Sequence, residues 1–176
     1  MNSETTTSIF KDKIRQSPLK DFSVESPLWI YAADRAFSDT ESPQIKMAIK
    51  QFTNSWLSHG QKVNPYGDLL FNRFIVLSAD SNFTIPSGCS IDSSVHFVKE
   101  IEKQFEVDLF NRMNVYRITD DNEIALTSFH VLAAEIEKGQ FSKDSLIFDM
   151  TVRTCGDFVD SWIKPAGESW LNRSLF

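Results

Sequence analysis

Two apolar patterns of different period stand next to each other in the middle of this chain, and together they restrict what it can fold into. Residues 69–79 (LLFNRFIVLSA) are apolar except at Asn72-Arg73 and read as a buried strand. Beyond a loop at 80–86, Ile91, Val95, Val98, Ile101 and Phe105 recur at spacings of four, three, three and four, which places them on one face of a helix. A sheet covered by helices satisfies both patterns at once.

The same alternation runs through the rest of the chain. Residues 28–33 are almost continuously apolar and read as a strand with Asp34-Arg35 at its polar end. Ile45, Ala48, Ile49, Phe52 and Trp56 predict a helix over 43–58, with Gly60 as its left-handed stop. Residues 113–119 and 123–126 form a predicted hairpin around Asp120-Asp121-Asn122. A helix follows over 128–138 on Phe129, Leu132, Ala133 and Ile136, and it ends at Gly139. Leu146, Phe148, Met150 and Val152 alternate as in a half-exposed strand, and Thr154 with Asp157 resembles a capping box for a short helix reaching Trp162 and ended by Pro165. The expected architecture is therefore α/β or α+β, a single mixed β-sheet with helices packed on it. Residues 1–25 read as a polar tail with one helical turn between Ser8 and Gln16, and 26–176 as a single globular domain.

Composition bounds the function classes. With 41% hydrophobic residues, 24% charged residues and 15 Phe, the chain is expected to close an aromatic-rich core. A net charge of −6 with scattered basic residues opposes a nucleic-acid partner. No run approaches the roughly 20 apolar residues of a membrane span, and the first residues lack the basic start and apolar core of a secretory signal. A cytoplasmic protein with no membrane partner is expected, with Cys89 and Cys155 as thiols. No His or Cys spacing points to a metal, and no motif points to a cofactor.

The candidate site is the junction between the central strand and its helix, Ser87-Gly88-Cys89-Ser90-Ile91-Asp92-Ser93-Ser94. Backbone N–H groups left open at a helix start attract anions, Gly88 permits close approach, and Ser87, Ser90 and Ser93 add hydroxyls. The same residues serve equally as an ordinary capped helix start. Cys89 stands where a helix N-terminus favours a thiolate, which makes it a candidate nucleophile with His59 as its base, although small thiols are also common packing residues. Arg73, Arg35 and Arg112 are candidate counter-charges for a small anion. Each also has ion pairing with one of the 24 acidic residues as an alternative. Trp29, Tyr31, Trp56, Trp162 and Trp170 read as an aromatic wall for a ligand or as core.

There is no Gly-x-x-x-x-Gly-Lys-Ser/Thr loop, no Gly-x-Gly-x-x-Gly and no His-Glu-x-x-His. Gly88-Cys89-Ser90-Ile91-Asp92 misses the Gly-x-Ser-x-Gly elbow by its last residue. Over 29–170 the chain resembles a family of short, uncharacterised bacterial proteins that carry the label ABC transporter ATPase. The resemblance rests on Trp29-Ile30-Tyr31 with Arg35, Trp56 with His59-Gly60, Asn72-Arg73-Phe74, the serine-rich segment, Arg112-Met113 and Ser169-Trp170. The label implies nucleotide hydrolysis, whereas the chain has neither the phosphate loop nor a Leu-Ser-Gly-Gly-Gln signature, and the resemblance assigns no catalytic residue. Three readings follow: binding of a small anionic ligand at residues 87–94, a Cys89–His59 enzyme for acyl or thiol transfer, and a protein-interaction module without a small-molecule site. The protein partner of the last is unknown.

Overall fold

The computed structural model describes residues 3–176, with side chains from Ile9 onward. In chain order the elements are α1 (Ser3–Arg15), β1 (Leu28–Ala32), α2 (Glu41–Ser55), β2 (Leu57–Ser58), β3 (Gln61–Lys62), β4 (Pro65–Leu70), β5 (Phe74–Ala79) and α3 (Gly88–Phe105). They continue with β6 (Asn114–Ile118), β7 (Ile124–Ser128), α4 (Phe129–Glu137), β8 (Leu146–Phe148), α5 (Cys155–Ser161), β9 (Ile163–Pro165) and α6 (Asn172–Leu175).

The fold is α+β. In place of the single mixed sheet expected, the described strands form three antiparallel sheets, in the orders β1-β5-β4, β2-β3 and β7-β6-β8-β9. Residue contacts divide into two compact units. One holds the described residues through Ser17 with Arg112–Val152 and Phe158–Phe176, and the other holds Pro18–Asn111 with Arg153–Asp157.

In the unit holding Pro18–Asn111, the expected strand 69–79 is two strands. Phe71 and Asn72 take left-handed backbone (φ 53° and 49°) and turn β4 back along β5, with Leu70 paired to Phe74. Asn tolerates that conformation, and the interruption in the apolar run is this turn. Helix α2 begins at Glu41, ahead of the expected start. Ser38 and Glu41 exchange the reciprocal bonds of a capping box, Glu41 N–H to Ser38 Oγ at 3.2 Å and Ser38 N–H to Glu41 Oε2 at 2.8 Å. Its buried Ile45 and Ile49 join Leu69, Ile75 and Leu77 of the sheet and Val98 and Ile101 of α3 in one core. Full burial of such aliphatic side chains stabilises by about 1.5–3 kcal/mol each.

In the other unit, β6 and β7 form the expected hairpin, with Asn122 at φ 63° in its turn. Helix α4 follows from Ser128 and stops at Gly139 (φ 69°) as read. The strand expected through Val152 ends at Phe148, because Asp149 Oδ1 accepts from both Thr151 N–H (2.9 Å) and Thr151 Oγ1 (2.6 Å) and turns the chain. Pro165 lies in the edge strand β9, where a missing donor is tolerated, and α5 ends at Ser161. The segment read as a tail contains a helix that buries Phe10 and Ile14, and Phe10 meets Phe148 edge-on at 5.8 Å between ring centroids. Among the described residues no helix is long and apolar enough to cross a membrane.

Candidate functional site

The start of α3 is built by a reciprocal serine box. Ser87 takes extended backbone (φ −77°, ψ 170°), and its Oγ accepts from Ser90 N–H at 3.3 Å, while Ser90 Oγ accepts from Ser87 N–H at 3.3 Å. Ser90 Oγ donates to Leu57 O at 2.7 Å, so in the 2.8 Å contact between the two hydroxyls Ser87 is the donor. Ser93 Oγ donates to Ser90 O at 2.7 Å. All three hydroxyl protons expected to hold a ligand are thus committed within the helix start and its support.

What stays open is backbone. The N–H groups of Gly88 and Cys89, the first two of an 18-residue helix, have no hydrogen-bond partner among the described residues. A Cβ built on Gly88 would find no heavy atom within 4 Å, and Cys89 is exposed. These two donors stand at the positive end of the α3 dipole.

The remaining wall comes from residues that the sequence reading assigned to a helix. His59 and Gly60 have φ of 50° and 77° and make the two-residue turn between β2 and β3; α2 has already ended at Ser55. Gly60 is therefore a hairpin residue and not a helix cap, and His59 reaches the site from a turn. Ser58, fully buried, ties this hairpin to the loop before α3: its Oγ donates to Ile85 O at 2.8 Å and accepts Ser87 N–H at 3.0 Å. Trp56 Nε1 donates to Ser90 O at 2.9 Å. The sequence signal for this second wall was His59-Gly60 itself, a pair tolerant of left-handed backbone between short extended segments.

The result is a depression of about 350 Å³ that brings His59, Ser87, Cys89, Ser90 and Ser93 together, with Phe52, Ser55, Trp56 and Leu57 completing the lining. No Lys or Arg lines it. Arg73 precedes β5, whereas the α3 loop follows that strand, so about 20 Å of extended chain separates them. Arg35 is engaged elsewhere, donating to Glu41 Oε1 and Oε2 at 2.9 Å each and to Phe105 O at 2.7 Å. That guanidinium, together with Ser38 N–H, holds the Glu41 carboxyl down to about 2. Arg112 lies exposed ahead of β6 and is not among the residues lining the depression. None of the three arginines expected as counter-charges lines this depression.

The second cysteine differs from Cys89. Cys155 is buried, its Sγ lies 3.1 Å from Ser78 Oγ, and burial pushes its thiol up. Of the aromatic wall, Trp56 and Trp162 are core residues: Trp56 meets Trp29 at 5.9 Å and Trp162 stacks on Phe158 at 4.6 Å. Among the described residues no group of three or more His, Cys, Asp or Glu is placed to hold a metal ion. No protein family, curated protein or solved structure compared with this chain matches it.

Proposed function

We propose that this protein binds a small anionic ligand at the start of α3, with the negative group on the Gly88 and Cys89 N–H groups and the ligand's apolar part against Phe52 and Leu57. The observation that carries the reading is the pair of N–H donors without a partner among the described residues, at an exposed helix start whose Cys89 lines a depression. Two N–H donors and a helix dipole suit one carboxylate or phosphate, and the exposed side chain of Leu57 adds apolar area. Neither cysteine is in a disulfide, which supports a reducing, cytoplasmic setting.

Gly88→Pro tests it. Proline is favoured at the first helical position, the extended Ser87 accommodates it, and it deletes one of the two donors. In a thermal-shift panel of phosphate, phenyl phosphate, acetate and benzoate, the wild type is expected to be stabilised, by about 2.7 kcal/mol where a ligand reaches 100 times its Kd, and Gly88→Pro is not. A ligand that stabilises both proteins equally refutes the reading.

A second reading draws on His59 and Cys89 lining the same depression. In it, His59 takes the thiol proton, the sulfur attacks an activated acyl carbon, an alcohol leaves, and water later releases the acid. The buried Cys155 serves as an internal control. Para-nitrophenyl acetate is expected to acylate Cys89 in a one-equivalent burst that His59→Gln slows. A burst of the same rate in both proteins removes His59 as base, and no burst removes the enzyme.

A further inference from the structure

A second concavity shares no residue with the depression at α3. It is a shallow, open concavity of about 570 Å³ between residues 61–64 and the loop 82–84, and Gln61, Lys62, Asn64, Asn82, Phe83 and Thr84 line it together with the buried Val63. Three of these side chains are carboxamides, each with two donors and two acceptor lone pairs, and no carboxylate is among the lining residues. Phe83 is 63% exposed.

Both walls are held by one buried residue. Asp80 N–H donates to Asn64 O at 2.9 Å, and Asp80 Oδ2 accepts from Asn64 Nδ2 at 3.4 Å. On the other side Asp80 Oδ1 accepts Asn82 N–H at 3.1 Å, and Asp80 O accepts Phe83 N–H at 3.1 Å. Asp80 is 4% exposed and accepts further bonds from Ser23 N–H and Ser26 Oγ, so its own position is fixed. The backbone that carries Phe83 is thereby ordered before any ligand arrives, and the ring is nevertheless left in water.

We infer that this groove is a saccharide-binding site, with Phe83 as the platform for the C–H face of a pyranose ring and Gln61, Asn64 and Asn82 as partners for its hydroxyls. The chemistry of the lining selects the class. An apolar ligand would strip water from three amides without replacing their hydrogen bonds, and a small anion would meet only the single charge of Lys62. A sugar ring offers adjacent hydroxyls that both donate and accept, and a face of C–H groups that packs on an aromatic ring. Asp80 is a positioning residue here and touches no ligand.

The test titrates the full chain with the neutral oligosaccharides cellohexaose, chitohexaose and mannohexaose at millimolar concentration, following side-chain amide and aromatic signals by NMR. One of the three is expected to shift the amide signals of Gln61, Asn64 or Asn82 and the ring signals of Phe83, while the backbone signals of Gly88 and Cys89 stay in place. Phe83→Ala is expected to weaken that binding by at least about tenfold without lowering Tm, because the ring is exposed and supports no core. Gly88→Pro is expected to leave it unchanged, which separates this site from the anion site. No shift with any of the three sugars, or equal affinity in Phe83→Ala, overturns the inference.

Discussion

Single residues decide how closely elements approach. A Cβ at Gly67 in β4 would stand 2.6 Å from Ile49 Cγ2 and 2.8 Å from Thr53 Cγ2, both on α2, so the helix rests on the sheet where the side chain is missing. Gly67→Ala is expected to destabilise by about 1–3 kcal/mol through overpacking, and Thr53→Ser in the same chain, which deletes the Cγ2 and keeps the hydroxyl, to recover part of that loss. Urea unfolding of the two single variants and the double variant checks it, and strict additivity would deny the contact. Nothing in the sequence marked Gly67, since a close approach depends on what lies opposite. Arg35 was visible as a charge at a strand end, with ion pairing as one of its two readings, but its partner was not. Arg35→Ala is expected to raise the Glu41 carboxyl from about 2 toward the ordinary glutamate range, as a carbon-detected titration would record.

Elements were legible where a period runs long enough to name itself. The stripe from Ile91 to Phe105 gave α3, and Asp120-Asp121-Asn122 gave the β6–β7 hairpin. Legibility failed where two short elements share one apolar run: residues 69–79 hide a hairpin turn, and 43–58 hide the junction of α2 with β2. In the first, the turn depends on two non-glycine residues in left-handed backbone, Phe71 and Asn72; in the second, the helix gives way to extended backbone at Trp56 (φ −70°, ψ 120°) with no glycine or proline to mark the change. Composition signals such turns weakly, because the surrounding structure holds them. The serine box of α3 gives a prediction at this scale. Ser87→Ala removes the hydroxyl that accepts Ser90 N–H and donates to Ser90 Oγ, and is expected to lower stability by about 1 kcal/mol, whereas Gly88→Pro keeps the box and holds stability within a few tenths. Thermal unfolding of the pair distinguishes a cap from a ligand site, since the two variants affect stability and anion binding in opposite order.

At the scale of the molecule, period and order gave a sheet-and-helix protein but not its pairing. Local alternation reports which face a strand buries, while the partner across the sheet is chosen by residues distant in sequence, so β1 lying beside β5 was out of reach. The same distance in sequence hides the buried carboxylates. Among the described residues each unit contains one, Asp80 or Asp149, accepting bonds from groups that the sequence gives no reason to bring together. Burial pushes the Asp80 carboxyl up, but donors from Asn82, Ser23, Asn64 and Ser26 outweigh it and hold the group below the ordinary aspartate value. Burial likewise opposes ionisation of Asp149, and Thr151 with Lys164, whose Nζ lies 3.0 Å from Oδ2, reverses the sign. With both folded values depressed, the unfolded chain binds more protons than the folded one between the folded and unfolded values. Their stabilisation is therefore complete above the aspartate range and is lost as pH falls below about 4. Asp80→Asn keeps most of the shape but cannot titrate, and is expected to be less stable than the wild type at neutral pH and to lose less on acidification. Unfolding free energies at neutral and acidic pH measure that difference, and parallel curves for the two proteins would show that the Asp80 hydrogen bonds do not favour its charged form.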